Sequence, residues 1–286
     1  MNSYLTPGVR YMLYATFTFA LMKVFVKSLP HIPAIEIIFF RAIISLVISF
    51  YFLKRQNVPF FGNNKPILIA RGITGSLALI LYFYLLHSIP LATAATLQYL
   101  APVFTTVLGV FIVKEKVNPW QWLFFGISFL GVLVVQGFDI RISYLHLIIG
   151  LATSFFMGLA YNFVRKLNTT EHPLVIILYF PLVLLPIGAV WSYFVWVTPQ
   201  GWDWLMLLGV GILTQVAQFF MTKSYQSEEV SKVSILNYVG LVYALLFGFF
   251  LFDETFNIAT YMGMGLVVLG VIANVVFKKK IAKADA

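Results

Sequence analysis

Apolar residues fall into ten runs along this chain, near 9–28, 34–53, 66–87, 90–113, 119–137, 144–165, 173–197, 203–224, 230–252 and 257–277. Each approaches the roughly 20 residues that an α-helix needs to cross a bilayer. The breaks between them have a chemical cause. Pro30 and Pro33 end the first run, Asn63, Asn64 and Pro66 frame the second break, and Pro90, Pro119, Pro173 and Pro199 mark four more. Proline removes a helical hydrogen bond and biases the preceding residue away from helix. The pattern predicts an all-α integral membrane protein with ten transmembrane helices.

The runs also echo one another. A shift of 139 positions lays 72–137 on 211–276, bringing Gly72 onto Gly211, Tyr99 onto Tyr238, Glu115 onto Glu254, Asn118 onto Asn257 and Gly131 onto Gly270. Matches of Leu, Val and Phe alone would mean little between membrane helices; these glycines, tyrosines, asparagines and glutamates mean more. Five spans per half is an odd number, so the second half must enter from the opposite side. The loop charges agree: Lys114-Glu115-Lys116 has as its partner Asp253-Glu254-Thr255, which lacks both lysines. The chain therefore reads as two inverted five-helix repeats, 9–137 and 144–277, with a basic tail at 278–286. Inverted repeats are a mark of alternating-access transporters.

Composition sharpens this picture. Of 286 residues, 61% are hydrophobic and 10% charged, against about 25% charged in soluble domains. The net charge of +9 reflects topology rather than nucleic-acid binding. With the N-terminus inside, 15 Lys and Arg fall on the inner side, including Arg71. Only Lys23, Lys27 and Arg141 fall outside, and Arg41 lies within the second span. The positive-inside rule then makes both termini cytoplasmic, in a plasma membrane or a bacterial inner membrane. There is no cysteine, hence no disulfide and no thiolate metal site. No cleavage site follows the first run, which carries Lys23 and Lys27. Trp120 and Trp122, and the group Trp191, Trp196, Trp202 and Trp204, fall at span ends as interfacial belts. Gly126, Gly131, Gly263, Gly265 and Gly270 are expected to let helices approach closely.

Three stretches carry a family resemblance: Arg41 within IEIIFFRAIISLV, the block IPLATAATLQYLAPVFTTVLGVFIVKEKVNPWQWLFFGISFLGVLVV at 89–135, and its weaker echo at 228–276. Through them the chain resembles the EamA type of the drug/metabolite transporter superfamily. The resemblance implies ten helices in two inverted repeats and a cavity between the repeats. It also implies cargo drawn from amino acids, S-adenosylmethionine, nucleotide sugars and other metabolites. Ala101-Pro102-Val103-Phe104 and Lys114-Glu115 match the family's fourth span; the second copy keeps Glu254 but has Leu241 opposite Pro102. Pro102 is expected to act as a hinge, kinking only the fourth span.

Candidate chemistry follows from what lies at depth. All ten Asp and Glu and all four His fall in loops or near span ends, so no buried proton relay, catalytic set or metal site is evident. No Gly-x-x-x-x-Gly-Lys-Ser/Thr loop is present, and no cofactor is expected. The neutral polar groups inside spans are Ser76, Tyr82, Gln98, Tyr99, Tyr161, Asn162, Gln215, Gln218, Asn237 and Tyr238. Amides cannot face hydrocarbon unpaired, so each either bonds helix to helix or lines a cavity. Lys23 and Arg41 add possible charge contacts, and cations at depth without matching acids favour an anionic or zwitterionic solute. Glu36 is placed to pair with Lys27. The reading is a secondary transporter of a small polar or amphipathic metabolite, with export of an amino acid or relative foremost. Uptake or exchange of a nucleoside-like solute such as S-adenosylmethionine and a non-transporting scaffold are the alternatives. The expected partners are the small-molecule substrate and the lipid bilayer, without nucleic acid, and the chain is a monomer or homodimer.

Overall fold

A computed structural model describes residues 6–89, 94, 97–98, 100–136 and 143–252, with helical residues at intervals between 258 and 277. Among the described residues there is no strand. The helices are α1 (Pro7–Lys27), α2 (Ala34–Arg55), α3 (Lys65–Ser88), α4 (Ala101–Ile112), α5 (Pro119–Gln136), α6 (Tyr144–Lys166), α7 (Pro173–Val195) and α8 (Asp203–Ser227). The last, α9 (Val230–Phe252), is irregular: a single turn Val230–Val233, a 3-10 stretch Ser234–Tyr238, then an α-helix Val239–Phe252. Seven of these, α1–α3 and α6–α9, are long and apolar enough to cross a membrane. Pro7, Pro66 and Pro173 sit in the first turns of α1, α3 and α7, where a missing N–H leaves no bond unmade.

The main contacts run between the two halves of the chain. Helix α1 packs on α8 and α3 on α6; α2 packs on α7 and on α8, and α3 on α7; α4 packs on α6 and α1 on α9. Two glycines show why the approach is close. A Cβ on Gly72 would stand 2.7 Å from the Tyr179 carbonyl oxygen and 2.8 Å from a Val183 methyl; one on Gly211 would stand 2.5 Å from Ile44. Val183 and Ile44 are themselves 139 positions apart, so the two glycine seats are reciprocal. The expected role of Gly126 and Gly265 is different from what is seen. Among the described residues nothing lies within 4 Å of either Cβ position, whereas Gly270 seats against Ser128 and the Phe124 carbonyl.

Carboxylates tie the loop ends together. Glu171 accepts from the backbone N–H of Asn63 (2.6 Å) and of Asn64, tying the α6–α7 connection to the end of the α2–α3 connection. At the other face, Glu36 accepts from the Val197 N–H at 2.9 Å. Glu36 thus pairs with the α7–α8 connection and not with Lys27, whose Nζ lies 4.2 Å from the Phe252 ring centroid. A backbone donor just past the end of α7 has no helical acceptor, and it captures the carboxylate instead. Near the first face, Glu115 accepts from Arg165 Nε and the Val230 N–H, both at 3.1 Å, while Arg165 Nη1 donates to the Gln226 carbonyl at 3.1 Å. A carboxylate at the start of α9 and a guanidinium at the end of α8 each suit the helix dipole they face.

The buried core divides into two clusters. One gathers Met12, Leu53, Leu68, Val164, Leu174 and Tyr225 toward the face that holds Glu115 and Glu171. The other gathers Val26, Leu29, Ile35, Phe83, Leu85 and Leu207 toward the face of Glu36. Large apolar side chains such as Val47, Ile148, Trp202 and Phe250 stay exposed, and all six tryptophans are among the exposed residues. Such a surface is suited to lipid rather than to water.

Candidate functional site

Between the two core clusters lies a cavity of about 950 Å³, open space at its mouth included. Every helix that belongs to the interface between the halves contributes to it, and α5 contributes nothing. On α1 the lining stripe is Thr16, Phe19, Ala20 and Lys23; on α3 it is Arg71, Gly75, Ala78 and Tyr82. These are the i, i+3, i+4, i+7 and i, i+4, i+7, i+11 spacings of one helical face. Arg41 enters from α2, Gln98 and Pro102 from the fourth run, Tyr161 from α6, Phe180 from α7, Gln218 from α8 and Asn237 from α9.

Three cations define the electrostatics. Arg41 and Arg71 are each 2% exposed, and both flank one aromatic ring: their guanidinium carbons lie 5.3 Å and 5.5 Å from the Phe180 centroid. Arg71 Nη2 donates to Gln218 Oε1 at 3.5 Å. Nε and Nη1 of both arginines have no hydrogen-bond partner. Lys23 Nζ donates to Gln98 Oε1 at 2.9 Å and sits 5.4 Å from the Tyr82 centroid. The described lining contains no Asp or Glu. Opposite Gln98, Asn237 Nδ2 donates to the Tyr225 hydroxyl at 3.1 Å, and Tyr225 stacks on Tyr161 with centroids 4.8 Å apart.

The sequence-derived candidates separate into two groups. Tyr82, Gln98, Tyr161, Gln218, Asn237, Lys23, Arg41 and Pro102 line the cavity; Ser76, Asn162, Gln215 and Tyr238 do not. Tyr99 lies outside the described residues. Asn162 and Gln215 are instead helix-to-helix ties. Asn162 Nδ2 donates to the Thr105 and Gly158 carbonyls at 2.9 Å and 2.8 Å; Gln215 Nε2 donates to Ser49 Oγ at 2.8 Å. Ser76 and Tyr238 are buried away from the cavity. Arg71 is the important omission: charge counting puts it on the inner surface, but it is well inside α3 and faces the cavity. Its spacing to Gly75, Ala78 and Tyr82 was the available signal.

Pro102 has a local consequence, although not the one expected. It lies in the first turn of α4, after a break at Leu100. Without an N–H it leaves the Gln98 carbonyl unserved. Ser154 Oγ compensates, donating to the Leu97 carbonyl at 2.6 Å and lying 3.4 Å from that of Gln98. The expectation that only this run is bent does not hold, because α9 has its 3-10 stretch at Ser234–Tyr238, the equivalent place. No proline is needed there. Asn237 Nδ2 donates to the Ser234 carbonyl at 3.0 Å, and a side chain competing for a backbone acceptor loosens an α-helix. Thr106 and Ser234 hydroxyls, 3.3 Å apart, join the two irregular helices.

Known proteins bear on this cavity. The profile of the EamA-like transporter family matches twice, over residues 6–136 and 145–276. The pseudopaline exporter CntI of Pseudomonas aeruginosa is 29% identical over 273 residues, covering 94% of this chain and 96% of that protein. The S-adenosylmethionine uptake transporter of Rickettsia prowazekii is 23% identical over 287 residues, covering 98% and 96%. Human solute carrier family 35 member G1 is 27% identical over 290 residues, covering 94% and 78%. A solved crystal structure superposes with a TM-score of 0.83 at 16% identity, covering 96% of this chain and 98% of that one, which speaks for the fold alone. With matches across nearly the whole chain, this multi-pass membrane protein belongs to the EamA-like transporter family.

Proposed function

We propose that the chain is a secondary transporter built from two inverted five-helix repeats, 9–137 and 144–277, that exports an amino acid or related metabolite by alternating access. The observation that carries this reading is the place of the cavity. It lies at the interface of the halves, lined from both, with a packed apolar cluster toward each face. Rocking one half against the other would open one cluster while the second stays closed. The packing supports the repeat. Exchange of the halves turns the α1–α8 pair into α6–α3, α2–α8 into α7–α3, and α4–α6 into α9–α1, and all of these pairs exist. Gly72 and Gly211 are exchanged in the same way. The lysine-rich side is assigned to the cytoplasm, with both termini there.

Export of an amino-acid relative is favoured by the exporter among the relatives and by the cationic lining. S-adenosylmethionine carries a sulfonium and an ammonium, which three buried cations oppose. Proteoliposomes test the reading: vesicles preloaded with unlabelled glutamate, histidine or S-adenosylmethionine are offered the labelled compound. Saturable counterflow of an amino acid is expected. Counterflow of S-adenosylmethionine alone would favour the alternative, and a scaffold would show none. Orientation has its own check. Single cysteines at Lys116 and Thr255 should label from the inside and the outside respectively, and labelling of both from one side would refute the inversion.

A further inference from the structure

We propose that Tyr225 is a positioning residue for transport, coupling the cavity to the Glu115–Arg165 ion pair at the rim; this rests on the transporter reading and adds the route by which cargo unlocks one face. Tyr225 lies in the last turn of α8 and is fully buried. Its parts are engaged in different places. The hydroxyl accepts from Nδ2 of Asn237, a side chain that lines the cavity, at 3.1 Å. The ring stacks on Tyr161, another lining residue, with centroids 4.8 Å apart. The backbone carbonyl accepts from Arg165 Nη1 at 3.4 Å. One stiff aromatic residue thus reaches from the cavity wall to the ion pair.

That pair works as a wedge. In a continuous helix the Gln226 carbonyl would accept from the Val230 N–H. Here Arg165 takes the carbonyl and Glu115 takes the N–H, each at 3.1 Å, and the two side chains pair at 3.1 Å. The start of α9 then runs from the wedge back to the cavity. Glu115 holds its first residue, Val230, and Tyr225 holds Asn237. Between them Ser234–Tyr238 is 3-10 rather than α, with Asn237 Nδ2 on the Ser234 carbonyl at 3.0 Å. Both amide hydrogens of Asn237 are in use, so cargo that recruits them releases Tyr225 or that carbonyl. A freed Ser234 carbonyl can accept from the Tyr238 N–H, as an α-helix requires. Conversion of the segment from 3-10 to α shortens it by about 2.5 Å. With Val239–Phe252 in place, this draws Val230 off Glu115. A ligand shifts such a balance only by binding the two states unequally, and competition for Asn237 supplies the difference.

Labelling of a cysteine at Ala160, a lining residue, tests this in the full chain, with an impermeant maleimide applied from the Glu115 side. Tyr225→Phe keeps the ring and removes the hydroxyl. It is expected to raise the labelling rate severalfold, as Glu115→Gln should. The double variant should label no faster than the faster single one, because both changes break one series of contacts. Asn237→Ala cuts the same bond from the cavity side and should behave alike; it stands in for Tyr225→Phe if that variant does not fold. Asn162→Ala loosens α6 away from this route and should leave the rate within about twofold. An unchanged rate in Tyr225→Phe, a double variant whose rise is the product of the single ones, or an equal rise in Asn162→Ala would overturn the proposal. Counterflow gives the functional readout, with glutamate or histidine, whichever the wild type exchanges. Tyr225→Phe should lower the maximal rate by about fivefold or more, with KM changed by less than about twofold. A raised KM at an unchanged maximal rate would make the residue a support of the cargo site alone and overturn the coupling. The labelling pattern without counterflow of any compound in the wild type would leave the coupling standing and remove the transporter reading. Wild-type counterflow with no labelling effect in any variant would do the reverse.

Discussion

Single side chains in this cavity act by what they leave unpaired as much as by what they bond. Gln98→Ala removes an acceptor of Lys23, and Asn237→Ala removes a donor to Tyr225. Both should lower transport per molecule several-fold while expression holds; normal counterflow in both would show that neither amide matters to cargo. Asn162→Ala is a different experiment, because that amide ties α6 to the Thr105 carbonyl. It should lower stability by about 1–2 kcal/mol, read as a fall in Tm, with the cavity unchanged. The two outcomes were not separable from sequence. An amide within an apolar run has to be satisfied, but the run does not say by whom. Arg71 was easy to misplace for a related reason. It stands six residues past Lys65, close enough to the span end to read as a surface charge, and only the pairing of α3 with α6 and α7 turns it inward. At the rim, burial and the nearby Lys223 hold His172 below its usual pKa. Its Nδ1 accepts from the Leu174 N–H at 3.3 Å, which requires the neutral ring. Because the folded value is the lower one, this contribution is intact above the unfolded pKa of about 6.5 and declines as pH falls below it. Titrating the Tm of wild type against His172→Asn, which keeps a cap, should show the difference.

Helices were the most legible level. Proline and asparagine mark the starts of α2, α3 and α7 close to where the apolar runs begin, since a missing N–H is a local fact. The irregularity of α9 was not legible, because it arises from Asn237 and Ser234 rather than from a breaker residue. Close packing at Gly72 and Gly211 gives a paired prediction. Replacing either by Leu should destabilise the protein by about 1–3 kcal/mol, and by similar amounts, because the two seats face equivalent neighbours. Strong destabilisation by one change and none by the other would speak against equivalent halves. Gly126→Leu, with nothing among the described residues within 4 Å of its Cβ position, should be tolerated in the same assay.

For the whole molecule, the central question is what holds one face shut. Glu115 gathers Arg165 and the first N–H groups of α9, and so joins the first half to the second at a single carboxylate. Glu115→Gln keeps the shape but weakens the charge-assisted bonds. It should raise the labelling rate of a cysteine placed at Ala160 severalfold when an impermeant maleimide is applied from the Glu115 side. An unchanged rate would mean that this cluster is not a closure. The contact between Arg41 and Phe180 has a further consequence. These positions are 139 apart in the chain, yet they touch each other, as equivalent positions do where they meet at a two-fold axis. A pair of identical half-sized subunits would have to place the same residue twice at that point: two arginines in mutual repulsion, or two phenylalanines without charge. Joining both halves in one polypeptide lifts that restriction. On the proposed repeat, the cation and its aromatic partner are then free to differ, and the centre is the one place where the two halves need to be unlike each other.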